Sequence, residues 1–401
     1  MAPGPIVAVE IGTSKVVVLV GERREDDYLM ISGVGEHPSS GLRKAEVINL
    51  ENAANALREA LHGAEESGRV AIREVHLVVS GGHLQSMVNR GSAPVDDPGG
   101  EITEDDVERV MNVASAINLP EERDVLHTVC QHFCIDEQER VIKPDGMVGA
   151  RLSVDMLVVH ALRSCIRNTV KVVTSLGVEV ADVAFGGLCS ALAVLTSEQR
   201  SSGVVVIDLG AGSTDFFAYG EGVVMTGGCI GVGGDHVTND IALAFNIPGG
   251  QAERIKCESG DAVGDAYNGD KKISLPPEVG FPGRTVHVKS LHAVMNARVA
   301  EIFEMVRDHL GSRDMLHHLA AGVVLIGGGA HMNGVTTLAE QVFGLPCTIG
   351  RPRDVSGLAV VTEGPEYASA IGMVQYGFRT ADVPNDGFIP AWIRGIFGAG
   401  A

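Results

Sequence analysis

The chain has 401 residues, 45% hydrophobic and 20% charged, with a formal net charge of −20, the profile of a water-soluble chain of two or three domains. No apolar run approaches the ~20 residues that cross a bilayer, and so large an acidic excess disfavours nucleic acid and anionic lipid, both of which are held through Lys and Arg. The apolar run from Ile6 to Val20 is broken by Glu10 and Lys15 and lacks a basic leader, which excludes a signal peptide and makes a cytoplasmic protein the expectation.

The first predicted element is a hairpin, IVAVEIGTSKVVVLVGER, from Ile6 to Arg23. Val7 and Val9 lead into Glu10; Gly12, Thr13, Ser14 and Lys15 make the turn; Val16 to Val20 leave it. From about His83 to Arg163 the pattern reads as a small α/β unit: a strand to Gly91, an acidic loop, a helix from Thr103 to Asn118, and strands from Val125 to Ile135 and Ser153 to Leu162. Thr103 is the N-cap of that helix, and Glu104, Asp105 and Asp106 complement the dipole of its first turn. Val107, Val110, Met111 and Ala114 make its apolar face. Cys130 and Cys134, near His127 and His132, lack metal-ligand spacing and alternate as in a strand, so the seven scattered cysteines are read as reduced and structural. The following segment, VAFGGLCSALAVL (Val183 to Leu195), contains no Glu, Gln, Asp or His.

A second hairpin, VVVIDLGAGSTDFFAYGEG, runs from Val204 to Gly222 and repeats the first about 200 residues later, the mark of a duplicated domain. Gly210 and Gly212 let backbone N–H groups approach an anion, Ser213 and Thr214 add hydroxyl donors, and Asp208 suits a hydrated divalent cation. Two such turns facing one another can clamp a polyphosphate. A helical pattern follows Gly231, with Val237, Ile241, Ala244 and Phe245 at helical spacing, then a short helix from Gln251. On that helix Glu253 and Lys256 lie three apart, the spacing of a surface ion pair and also suited to a ribose. A third turn, VVLIGGGAHMNG (Val323 to Gly334), carries Gly327, Gly328 and Gly329 and leads into a helical pattern whose N-terminus favours anions. The end reads as a polar linker followed by DGFIPAWIRGIFGAGA. There Phe388, Ile389, Trp392, Ile393, Ile396 and Phe397 form one helical face suited either to the protein's own core or to a bilayer interface. Few basic residues flank that face; Arg394 is its only cation.

Together these stretches resemble the actin, Hsp70 and sugar kinase superfamily and, within it, the FtsA family of bacterial cell-division proteins. The resemblance runs over nearly the whole chain. It is carried by VEIGTSKV, VLHTVCQHFCID, VVVIDLGAGSTD, HHLAAGVVLIGGGA and YASAIGMVQYG. It implies an α/β, actin-like fold: two duplicated ribonuclease H-like domains around a nucleotide cleft, with an inserted small α/β subdomain and a C-terminal amphipathic helix. The implied pieces are 1–83, 164–201 and 363–380 for subdomain IA, 84–163 for the insert, 202–232 and 301–362 for IIA, 233–300 for IIB, and 381–401 for linker and membrane-targeting helix. By the same resemblance ATP and Mg2+ are the cofactors. Glu10, Gly12, Thr13, Ser14, Asp208, Gly210, Ala211, Gly212, Ser213 and Thr214 would face the phosphates, with Asp208 and Glu10 nearest the metal. Glu253 and Lys256 would meet ribose and adenine, and Gly327 to Gly329 would pack on the adenosine. The resemblance also implies self-association into filaments, binding of the FtsZ C-terminal peptide, contacts of the insert with later division proteins, and attachment to the cytoplasmic face of the inner membrane at the septum.

Relatives of this fold place a Gln or Glu at the start of the helix read at Val183 to Leu195, where it orients the attacking water. The absence of such a group predicts ATP binding with slow or negligible hydrolysis, unless water is positioned from elsewhere. Two other readings share the fold: a pilus-assembly scaffold, which would not need the apolar tail, and a small-molecule kinase, which would need a carboxylate base in a substrate cleft.

Overall fold

Two sheets repeat one another over five strands, and the first carries a sixth, Val355–Gly357, parallel to Leu29–Pro38 at its edge. In the first, Leu29–Pro38, Lys15–Arg23 and Ile6–Ile11 run antiparallel in that spatial order, and Glu74–Val79 and Glu179–Phe185 continue in parallel. In the second, Val223–Ile230, Thr214–Gly220 and Val204–Leu209 are antiparallel, and Val323–Ile326 and Cys347–Ile349 follow in parallel. The duplication expected from the two hairpins is thus a duplication of whole sheets. The computed structural model describes residues 4–24, 28–96, 99–264, 271–311 and 314–381. The apolar tail residues Phe388, Ile389, Trp392, Ile393, Ile396 and Phe397 lie outside the described residues.

Between the sheets lies the helix Gly186–Val194, all of whose residues are buried. It shares a core with Val17 and Leu19 of the first sheet and Val206, Phe217 and Val324 of the second. A helix buried on every side must be apolar on every side, which explains physically why this segment carries no carboxylate. The helix Ala368–Ala381 packs against it so closely that Gly372 meets the Cys189 backbone, leaving no room for a Cβ. The outer face of the first sheet is covered by Leu50–Gly68. Asn49 caps that helix by accepting from the Asn52 N–H at 3.0 Å, and its buried face is mostly alanine. Those small side chains let Gly35 of the adjacent strand touch the backbone of Ala60.

The insert is an antiparallel sheet in the order Gln85–Pro94, Arg151–Leu162, Arg123–Ile135, Gln138–Val141, with the helix Glu104–Ser115 on one face. Thr103 and Asp106 form a reciprocal capping box. Val110 and Ala114 are buried, and Val107 and Met111 pack partly buried against the same cluster, as the spacing predicted. The helix stops at Ser115 rather than Asn118, and both long strands begin two residues earlier than the alternation suggested. The insert is bolted to the second domain: the Gln131 amide donates to the Val224 carbonyl at 2.7 Å, and the Ser86 and Thr226 hydroxyls lie 3.2 Å apart.

In the second domain Gly234–Phe245, Gly249–Ser259 and Val288–Gly311 form a helical layer. Val237 and Ile241 are buried, whereas Ala244, expected on that face, is exposed. The boundary placed at residue 300 falls within the continuous helix Val288–Gly311, which returns the chain to its sheet.

Candidate functional site

The strand ends carrying the Gly-rich turns converge on a cavity of about 460 Å³ between the two domains. Its walls include Glu10, Gly12, Thr13 and Ser14 from the first hairpin and Asp208, Gly210, Ala211, Gly212 and Ser213 from the second. The two turns close identically: the Gly12 N–H donates to the Lys15 carbonyl and the Gly210 N–H to the Ser213 carbonyl, each at 3.0 Å. Gly212 lies against the Thr13 side chain and the Lys44 backbone, so a Cβ there would wedge the turns apart. Lys44 and Ala45 have φ of 53° and 60°. They form the two-residue loop of a hairpin between Leu42–Arg43 and Glu46–Val47, a conformation usually left to Asn and Gly. The Ala45 N–H donates to the Thr13 hydroxyl at 2.8 Å, which fastens this loop to the first turn.

Thr214 does not line the cavity. Its fully buried hydroxyl donates to the Val232 carbonyl at 2.8 Å, because strand alternation turns it away from Ser213.

Gly327, Gly328 and Gly329 supply another wall. Gly327 has φ of 81° and packs against the Asp208 carboxylate and Leu209 carbonyl, so a side chain there is excluded twice over. The glycines enter a single 3-10 turn, Gly328–His331, and the α-helix begins only at Val335. The expectation that an α-helix N-terminus meets the ligand at these glycines is therefore corrected. Opposite stand Glu253 and Lys256, both on the cavity wall and ion-paired to each other at 2.6 Å. The Lys256 ammonium also donates to the Thr238 hydroxyl at 2.9 Å, which orients it further.

At the cavity floor three carboxylates face one another. Burial raises the pKa of Glu10, against the lowering effects of the Ser369 hydroxyl, which donates to it at 2.5 Å, and of Lys15. Burial, then the charges of Glu10 and Asp215, raises Asp208 well above the carboxylate range, although the Ser190 hydroxyl donates to it at 3.1 Å. Asp215 is pushed up to about 6, chiefly by burial. Hydrogen bonds from the Cys229 thiol and from Ser80, which donates to Oδ2 at 2.5 Å, work against that rise.

Asp215, Ser80, Lys15, His331 and Glu366 are cavity-lining residues that the motif reading did not list as site residues. Asp215 was within reach: folding the second hairpin at its glycines pairs it directly with Asp208. Ser80 and Glu366 come from distant parts of the chain with no local signal. Arg298, on the helix Val288–Gly311, is ion-paired with Asp240 and Glu301.

Duplicated sheets of this topology, closing on an interdomain cavity walled by paired turns, define an actin-like fold. Solved structures agree: a PilM-PilN type IV pilus biogenesis complex aligns with a TM-score of 0.65 at 17% identity, covering 93% of this chain and 98% of that one. MreB5 of Spiroplasma citri bound to ADP aligns at 0.53 and 15% identity, covering 94% and 97%. The family model for cell division protein FtsA matches residues 205–372, and the model for the SHS2 domain inserted in FtsA matches residues 81–160. The cell division protein FtsA of Pseudomonas aeruginosa is 36% identical over 93% of this chain and 89% of its own length. That of Escherichia coli K12 is 35% identical over 93% and 90%. The chain belongs to the FtsA family of cell division proteins.

Proposed function

We propose that this actin-like division protein binds ATP with Mg2+ in the interdomain cavity, polymerises, and tethers the FtsZ ring to the cytoplasmic face of the inner membrane at the septum. The observation that carries the reading is the facing of two identically closed turns across one cavity. Gly12, Thr13 and Ser14 would grip the phosphates from one domain, and Gly210, Ala211, Gly212 and Ser213 from the other, so the ligand latches the domains together. Glu253 and Lys256 would hold the ribose and base, against Gly327 to Gly329. The MreB5 structure of the same fold is one bound to ADP.

The donor set also fits a hydrated divalent cation. Three buried carboxylates with upward-shifted pKa values meet there, and a bound cation would relieve the cost of their burial. Asp208 and Glu10 would hold that cation, which would supply neutralisation of the phosphate charge. The residues expected in the tail, Phe388, Ile389, Trp392, Ile393, Ile396 and Phe397, would enter the lipid interface. At roughly 1.5 to 3 kcal/mol for each large side chain fully buried, one copy binds weakly and a filament of many copies firmly. The insert would meet later division proteins. The FtsZ C-terminal peptide would dock on residues 233–300, where Lys271 and Lys272 are exposed.

Sedimentation with vesicles and ATP, followed by capture on an immobilised FtsZ C-terminal peptide, tests this reading. The full chain is expected to pellet with vesicles and to be retained by the peptide. A chain ending at Asp386 is expected to be retained but to stay in the supernatant. Equal pelleting of both chains, or failure of the full chain to bind the peptide, contradicts it.

A further inference from the structure

We infer that Arg200, Arg353 and Arg379 form a seat for phosphate oxygens at the end of the helix Ala368–Ala381, and that an acidic phospholipid headgroup fills it at the membrane; the inference rests on the membrane reading above. The three come from separate stretches of chain. Arg379 is half-buried in the last turn of that helix. Arg200, also half-buried, lies on the short helix Ser197–Ser202 with its guanidinium 5.9 Å from the centre of the Tyr219 ring. The charges of both arginines reach the buried Tyr219 and work against the rise that burial gives its pKa. Arg353 is exposed about one helical turn before Arg379: its carbonyl accepts from Gln375 Nε2 at 3.1 Å, and residues four apart share a helix face.

An arginine kept only for structure is matched by an acid, as Arg163 is by Asp124 at 2.7 Å. Here, among the described residues, none of the three is ion-paired with a carboxylate; Glu198 and Asp354 are close in sequence but make no such pair. Burial lowers the pKa of Arg379, and the charge of Arg200 lowers it further. Partly desolvated guanidinium groups that repel one another are relieved by a shared anion, and their planar forks match phosphate oxygens. The place decides which phosphate. The helix ends at Ala381, and Phe388 follows it by seven residues, at most about 25 Å of chain. Insertion of Phe388 therefore holds the arginines within that distance of the headgroups. The tail has one cation of its own, Arg394, whereas firm peripheral anchoring combines an apolar device with a basic patch. The body of the protein supplies the cations that the tail lacks. The nucleotide cavity is not involved: Ser369, which donates to Glu10, stands about 15 Å up the same helix.

The test is sedimentation of the full chain with vesicles of phosphatidylcholine alone and of phosphatidylcholine mixed with phosphatidylglycerol, at low and at physiological salt. The parent chain is expected to bind the mixed vesicles about tenfold or more tightly, by a margin that shrinks as salt rises. Arg353→Gln, an exposed change that keeps the carbonyl bond to Gln375, should lose about fivefold on mixed vesicles. The double variant Arg200→Gln with Arg379→Gln should lose about tenfold or more. Each should bind ATP and phosphatidylcholine vesicles as the parent does, which shows that it is folded. Arg58→Gln removes the same charge from the exposed side of the helix Leu50–Gly68, on the other face of the first sheet, and should change nothing. Binding of mixed vesicles by the double variant within about twofold of the parent overturns the inference. So does an equal loss in Arg58→Gln, which would make net charge the cause. A parent chain that pellets equally with both vesicles overturns it and leaves the membrane reading standing. If inorganic phosphate then raises the melting temperature of the parent but not of the double variant, the seat belongs to a soluble phosphate and the lipid assignment is wrong. A parent chain that pellets with neither vesicle removes the membrane reading and the inference with it.

Discussion

Gly327 shows how one residue ties the third turn to the phosphate end of the cavity. Its left-handed φ and the Asp208 carboxylate over its Cα leave no space for a methyl group. Gly327→Ala is expected to destabilise the chain by roughly 1–3 kcal/mol and to weaken ATP binding at least tenfold, by displacing Asp208. Urea unfolding and nucleotide titration of the variant check the two effects separately. His127 gives a pH prediction at the same scale. Its Nε2 accepts the Phe185 N–H at 3.0 Å, which only the neutral ring allows, and burial pushes its pKa down to about 3. The unfolded ring takes up its proton near pH 6.5. Between these values the unfolded state binds more protons than the folded one, so the contribution is full above pH 6.5 and is lost as pH falls toward 3. The parent chain should lose a few kcal/mol across that window. His127→Gln should flatten the dependence, as read from urea midpoints at successive pH values.

At the scale of elements, the hydrogen bonds that hold the insert decide whether it moves with the second domain. Gln131 is buried and satisfies the Val224 carbonyl on the outer strand Val223–Ile230. Gln131→Ala leaves that carbonyl unpaired and should cost about 1–3 kcal/mol. Hydrogen exchange should then rise along Val223–Ile230 and Arg123–Ile135 while the cavity strands stay protected. Unchanged exchange along both strands would mean the docking does not depend on this bond. These elements also mark what the sequence discloses. The paired hairpins were legible because a Gly-rich turn between apolar strands follows from local chemistry, and Thr103 with its acidic first turn announced the insert's helix. The 3-10 turn at Gly328–His331 was not, since a run of glycines leading into apolar spacing looks like a helix start whichever helix follows. Thr214 was misplaced on the cavity wall because motif membership hides strand alternation. The hydroxyls that donate to the carboxylates, from Ser80, Ser190 and Ser369, are brought in by tertiary packing, and no local spacing marks them.

At the scale of the whole molecule, the buried helix Gly186–Val194 and the helix Ala368–Ala381 share one core, and the cavity opens between the two domains. A ligand gripping both turns would join the domains across it. It should raise the melting temperature in proportion to the logarithm of its concentration, as for any ligand that binds only the folded state. Gly212→Ala, which forces the second turn from Thr13 and Lys44, should fold normally and lose that stabilisation. Equal stabilisation of variant and parent would mean that the ligand does not bridge the turns. The central claim is that the interdomain cavity clamps one nucleotide between the duplicated turns, and calorimetric titration of the full chain with ATP and Mg2+ tests it most directly. One ATP per chain is expected to bind with micromolar affinity, weakened at least tenfold by Gly212→Ala. Absence of binding at millimolar ATP, or binding indifferent to Gly212→Ala, would contradict it.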